Sequence, residues 1–209
     1  MGMGAALFGC YEVNLMRTAI LMSVLVCGLG CAPAFAQKPA DCALPKADRS
    51  AIGIALGDEA SAIRVIGRDV RTVMEPLGSD MAWTLFASRG NRQLLALRHH
   101  AGDLQFSFRE IEVKFGRHDK KPAMLPVFDF VTDGGIKLGM KRKQVVARLG
   151  TCFKSANKAG NEVIRYEIEE TGGTLTHPLL KATNMPQYYA EYEFHSGTLI
   201  RFRFGHNPV

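Results

Sequence analysis

Two short stretches, Ile54-Ala55-Leu56-Gly57 and Ile136-Lys137-Leu138-Gly139, open two segments of the chain that read alike. Six residues after each glycine stands an aliphatic, Ile63 or Val145, followed soon by an aliphatic-glycine pair, Ile66-Gly67 or Leu149-Gly150. Recurrence at this length marks one supersecondary unit used twice. Strand-like runs follow each copy: MAWTLFA, RQLLALRHH and LQFSFREIEVKF after the first, EVIRYEIEE, YYAEYEF and TLIRFRF after the second. The expected fold class is α+β, with two tandem units. Each would be a short helical segment packed on an antiparallel sheet of about three to four strands. The boundaries expected are residues 37–116 for the first repeat, 117–133 for a linker and 134–209 for the second repeat.

Periodicity refines the elements. Ile63, Ile66, Val70, Val73, Met74 and Leu77 fall at steps of three and four, which predicts one helix from Asp58-Glu59 to about Glu75, ended by Pro76. The second helix is shorter, with Val145, Val146 and Leu149 inward and Gly150 stopping it. In the last hairpin, Tyr188, Ala190, Tyr192 and Phe194 alternate with Tyr189, Glu191, Glu193 and His195, and Ile200, Phe202 and Phe204 with Leu199, Arg201 and Arg203. Apolar must oppose apolar across the strands. That parity predicts a three-residue loop, His195-Ser196-Gly197, with Glu191 facing Arg201. Leu104, Phe106 and Phe108 have even parity but Ile111, Val113 and Phe115 odd, so a β-bulge is expected near Arg109-Glu110. In the linker, Leu125, Val127, Phe128 and Phe130 are expected to pack on the body.

The start of the chain reads as an address. Residues 19–35 are a hydrophobic run closed by Ala34-Phe35-Ala36, which fits a signal peptide over residues 1–36 with cleavage before Gln37. Met16-Arg17 would make an alternative start to Met1. The run is too short and too broken to suggest a transmembrane span. A lipid anchor is not expected, because Gly28 stands where Cys31 would need an aliphatic and bulky Leu25 and Val26 precede Cys27. Export leaves Cys42 and Cys152, an even pair that reads as one disulfide in an oxidising compartment. Of the whole chain, 47% is hydrophobic and 22% charged, ordinary for a globular body. Losing Arg17 and Glu12 with the leader leaves the net charge at +6.

The segment from Ile136 to Gly150, IKLGMKRKQVVARLG, resembles the I-x-x-G-M-[ST]-x-x-x-V-x-x-x-L-G signature of the small lipoproteins of the outer-membrane β-barrel assembly machinery. Two such units in tandem look like the architecture of the β-lactamase inhibitor protein family. The resemblance implies helix plus antiparallel sheet in each unit, an envelope or secreted location and a non-catalytic binding role. Two departures stand out: Lys141 occupies the Ser/Thr cap position, and the lipobox is missing.

Catalytic, cofactor and metal motifs are not found: no HExxH, GxSxG or P-loop occurs. His99 and His100 are neighbours on a strand and point to opposite faces, which does not suit one metal. Glu110 with Glu112 and Glu191 with Glu193 share strand faces, and a solvated face opposite Arg201 and Arg203 explains the second pair better than acid-base chemistry. The function expected is therefore an exported, periplasmic, non-catalytic interaction or inhibitor-like protein whose partner is another envelope or secreted protein, not nucleic acid. The alternative is an envelope enzyme built from His99, His177 and scattered acids. Lys141, Arg142 and Lys143 oppose the dipole at the second helix's start, so they are the candidate edge for an acidic partner.

Overall fold

The computed structural model describes residues 46–77, 81–99 and 105–206, with the side chains of 75–77 and 81–82 left aside. The leader, Cys42, His100 and Leu104 lie outside the described residues. The fold is mixed, mostly sheet, with three helices among the described residues. A small hairpin, β1 (Ser50–Ala51) and β2 (Ile54–Ala55), leads into α1 (Glu59–Ile66). Four strands follow: β3 (Val73–Leu77), β4 (Met81–Ala87), β5 (Gln93–Arg98) and β6 (Glu110–Phe115). After β7 (Ala123–Met124) and α2 (Arg142–Leu149) come β8 (Lys154–Lys158) and β9 (Asn161–Glu169). Then α3 (Pro178–Thr183), β10 (Gln187–His195) and β11 (Thr198–Gly205) complete the chain. Spatial order in the large sheet is β3-β4-β5-β6-β11-β10-β9-β8, with β7 beside β4. Two antiparallel meanders thus meet at their last strands, β6 and β11. The hairpins that carry the two Ile-x-Leu-Gly stretches touch as well, through Ile52 N–H to Val131 O (2.8 Å) and Asp133 N–H to Ser50 O (3.1 Å).

One side of the sheet holds the core. Phe86, Leu95, Leu97, Ile111, Val113, Phe202, Phe204, Tyr192 and Tyr166 point the same way and pack with Ala62 and Ile66 of α1, Val145 and Leu149 of α2, and Leu179 and Leu180 of α3. Tyr166 and Tyr192 meet edge to face at 6.0 Å, a favoured arrangement of ring quadrupoles. The second helix matches its expectation, with Val145 and Leu149 buried and Gly150 at its end.

The first helix is shorter than its periodicity suggested. Asp58 caps it, accepting from the Ser61 N–H at 3.1 Å, but it stops at Ile66, with Gly67 (φ 78°) as the cap. Val73, Met74 and Leu77 belong instead to β3, paired with β4. Pairing on a sheet edge supplies hydrogen bonds that an isolated extra helical turn could not match, and β-branched Val73 suits a strand. The last hairpin also differs. Its loop has two residues, Ser196 (φ 48°) and Gly197 (φ 71°), so His195 faces Thr198. Positive φ at both places is the primed turn whose twist matches the flanking strands. Parity is restored by a bulge at Glu193/Phe194, and Glu191 faces Arg203 rather than Arg201. The expected irregularity does fall at Arg109-Glu110: the Arg109 N–H reaches Arg98 O (2.8 Å) while Glu110 is the register partner of Arg98, so two residues oppose one, and Phe106 and Phe108 are buried along with Ile111 and Val113. In the linker, Leu125 and Phe130 are buried as expected, whereas Phe128 is 68% exposed.

Candidate functional site

The sheet face turned away from the helices carries an organised set of charged side chains among buried apolar ones. Leu85, Ala87, Leu94, Ala96 and Tyr189 are buried there without joining the core cluster. Strand register writes this face as three rows running across the strands. The first is Glu167, Tyr189, Gly205, Glu110, Arg98 and Trp83; the second is Arg165, Glu191, Arg203, Glu112, Ala96 and Leu85. The third is Val163, Glu193, Arg201, Lys114, Leu94 and Ala87. Alternating sequences such as EYE and RFR produce it, because every second residue of a strand shares a face.

Opposite charges sit on neighbouring strands and close into a network. Arg201 donates to Glu112 through Nη2 (2.7 Å) and Nε (2.9 Å) and to Glu193 through Nη1 (3.2 Å). Arg203 Nε reaches Glu191 at 2.6 Å, and Arg165 Nη1 reaches the same carboxylate at 2.5 Å. Both guanidinium groups lie over the Tyr189 ring, at 5.5 and 4.7 Å from its centroid. The expected pairs of acids are therefore members of a charge lattice, with Arg203 rather than Arg201 opposite Glu191.

Gly205 makes the centre of the lattice possible. A Cβ there would stand 2.3 Å from Arg109 O, so the strands approach too closely for any side chain. Tyr189 uses the vacancy, its hydroxyl donating to Glu110 across the glycine. Glu110 is almost wholly buried, with its other oxygen unpartnered, and Arg98 stands 3.4 Å away with its buried Nε unpartnered too. Arg98 also lies over Trp83, 5.6 Å from the ring. Burial pushes the Glu110 carboxyl above the usual carboxylate range, against the pull of Arg98 and Arg203. For Glu112 burial pushes the same way, but Arg201 outweighs it and holds the carboxyl below its ordinary value. Two acids on one strand are thus shifted in opposite directions by their neighbours.

The three cations at the start of α2 are not one free edge. Lys141 Nζ donates to Thr198 Oγ1 (2.8 Å), and Arg142 Nε pairs with Glu162 (2.8 Å) while its guanidinium lies over Phe153. The Arg142 N–H is taken by Gly197 O, and Gln144 reaches back to the Lys141 N–H at 2.8 Å. Two of the three therefore tie the helix start to the β10–β11 turn and to β9, leaving exposed Lys143 without an ion-pair partner among the described residues. This explains how the fold accepts lysine at a cap position: half of a capping box survives, and cross-strand anchors replace the missing acceptor.

His99 and His177 are not brought to one place. The His99 ring meets that of Phe108 at a tilt of 53° (centroids 4.5 Å apart) in a mostly apolar cleft of about 230 Å³. His177 caps α3, accepting from the Leu179 N–H, and shares a shallow cleft of about 210 Å³ with Asp133. Asp133 is engaged there by the Arg49 and Ser50 N–H groups. Cys152 is half-buried just beyond α2, and its expected partner Cys42 lies outside the described residues. No helix among the described residues is long and apolar enough to cross a membrane.

Sequence reasoning placed Glu110, Glu112, Glu191, Glu193, Arg201 and Arg203 correctly on the polar side of their strands. It missed Trp83, Arg98, Arg165 and Tyr189. Tyr189 carried a signal, since it alternates in step with Glu191 and Glu193. No family model, no curated protein and no solved structure matches the chain.

Proposed function

We propose that this chain is an exported, periplasmic, non-catalytic protein that binds another envelope or secreted protein through the helix-free face of its sheet. The reading includes two tandem copies of one helix-and-meander unit, akin to the small lipoproteins of the outer-membrane assembly machinery but without their lipid anchor. It is supported by one observation above others: part-exposed Trp83, Arg165, Arg201 and Arg203 are set in a charge lattice on the side of the sheet opposite the helices. Trp, Tyr and Arg are the side chains that most often carry binding energy at protein interfaces. Alternating charges also impose register on a partner and penalise wrong ones.

The test is capture from envelope extracts with immobilised wild type and with Trp83→Ala. Trp83 stands near the sheet edge and outside the core cluster, so the variant should fold. Loss of a partner protein by roughly tenfold or more is the expected outcome for a hot-spot aromatic. Equal capture by both proteins would remove the sheet face from the reading.

Export carries a second prediction. Cys42 and Cys152 are expected to be bonded in the periplasm, closing a long loop whose chain-entropy contribution is about 4 kcal/mol. Alkylation of the denatured, non-reduced protein should find neither of these two thiols free. Two labelled thiols would disprove the bridge without touching the sheet-face reading.

A further inference from the structure

One end of the sheet is apolar, basic and held rigid. The β4–β5 turn presents exposed Arg89 and Arg92, and the end of β6 lies beside it through the Gly116 N–H to Arg92 O bond (3.1 Å). The linker is fastened to the same turn by the Arg89 N–H to Val127 O bond (2.7 Å) and by the Leu125 N–H to Ala87 O bond (2.8 Å). Buried Gln93 clamps it further, donating to Asp129 and accepting from the Phe130 N–H, both at 2.9 Å. Between buried Leu125 and Phe130, Phe128 nevertheless stays 68% exposed, with Met124, four residues earlier in the same linker, at 67%. An apolar ring that remains in water between two buried anchors is projected by the fold and does not belong to a loose loop.

The charges around these side chains have one sign. Arg89 lies over Phe128 at 5.0 Å, and Arg92, Arg117 and Lys121 are exposed on the adjoining turn and linker. None of the four has a carboxylate partner among the described residues. Asp119 is the one exposed acid within this stretch, and Asp129 is already held by Lys137 and Gln93.

We propose that this end of the protein docks on the surface of an anionic phospholipid bilayer, with Phe128 and Met124 entering the interface and the cations on the headgroups. Protruding apolar tips among arginines and lysines combine the two terms that bind peripheral proteins, burial of apolar area and attraction to anionic lipid. An acidic protein would complement the charge, but projecting Phe128 and Met124 would need a matching pocket there, whereas a bilayer interface takes them without one. Docking at this end leaves the central charge lattice for a protein partner.

Sedimentation with phosphatidylglycerol-containing vesicles, compared with phosphatidylcholine vesicles, tests this on protein recovered soluble from an exporting host. Wild type should bind the anionic vesicles, bind the neutral ones weakly, and release in high salt. M124S/F128S and, separately, R89E/R92E should each bind at least about tenfold more weakly at an unchanged unfolding midpoint. The proposal is overturned if wild type ignores anionic vesicles, which would point to a protein on this patch. It is also overturned if neutral vesicles do as well, or if either variant binds like wild type.

Discussion

Asp48→Ala is expected to be among the most damaging single substitutions in the protein, costing about 3 to 5 kcal/mol of stability. Asp48 is fully buried where the two Ile-x-Leu-Gly hairpins meet β10. Its Oδ2 accepts from the Tyr192 hydroxyl (2.6 Å), its Oδ1 from the Gly134 N–H (3.0 Å), and its backbone oxygen from the Tyr188 hydroxyl (2.6 Å). Gly134 must be glycine for this contact, since a Cβ would stand 2.4 Å from Asp48 Oδ1. Truncation leaves a buried phenol and a part-buried amide without acceptors, and that desolvation makes up most of the cost. Asp48→Asn keeps the shape and one acceptor, so its cost should be far smaller.

The pH dependence separates the two variants. Burial pushes the Asp48 carboxyl above its ordinary value of 3.8, although Tyr192, Thr132 and Gly134 pull it down. A raised folded value means that the native state holds the proton more tightly. The contribution is therefore complete below the ordinary value and fades as pH rises through the folded one. Denaturant unfolding from pH 3 to pH 8 should show Asp48→Asn gaining on wild type as pH rises. A constant gap would mean that folding leaves the Asp48 carboxyl at its ordinary value.

How much of this was legible beforehand depends on how local each determinant is. The β10–β11 alternation was readable because a strand's face is fixed residue by residue. The loop was misread because parity counts only odd and even, and a two-residue turn with a bulge satisfies it as well as a three-residue loop. Residues 70 to 77 looked helical because steps of three and four fit six apolar residues, whereas the pairing of Val73 with Leu85 depends on a strand not yet placed. Asp48 carried no signal at all. Its role comes from Tyr188, Tyr192 and Gly134, far away in sequence, and a lone aspartate in an unmarked stretch reads as surface. The charge lattice lay between these extremes: its members could be assigned to a face, but not its neighbours across β6 and β11, because pairing of the two meanders at their last strands is a tertiary fact.

That seam between β6 and β11 carries the second large effect. Arg201→Met is expected to cost about 3 kcal/mol, because it leaves the Glu112 carboxylate, only 7% exposed, without the guanidinium that donates two hydrogen bonds to it. Lys114 remains at 3.2 Å but is half in water and compensates only partly. The sign of the pH response should also reverse. In wild type, burial raises Glu112 and Arg201 more than offsets it, so the carboxyl is held below its ordinary value of 4.5. A lowered folded value contributes stability that is present above the ordinary value and is lost as pH falls through the folded one. In Arg201→Met burial dominates, the carboxyl moves up, and acidification should shrink the gap between variant and wild type. Glu112→Gln combined with Arg201→Met removes the stranded charge and should recover much of the loss, since a buried pair replaced as a whole is often neutral. Urea unfolding of the three variants at pH 4 and pH 7 would show it. If the single variant loses the same amount at both pH values and the double variant recovers nothing, the seam is held by packing and the ion pair is incidental to it.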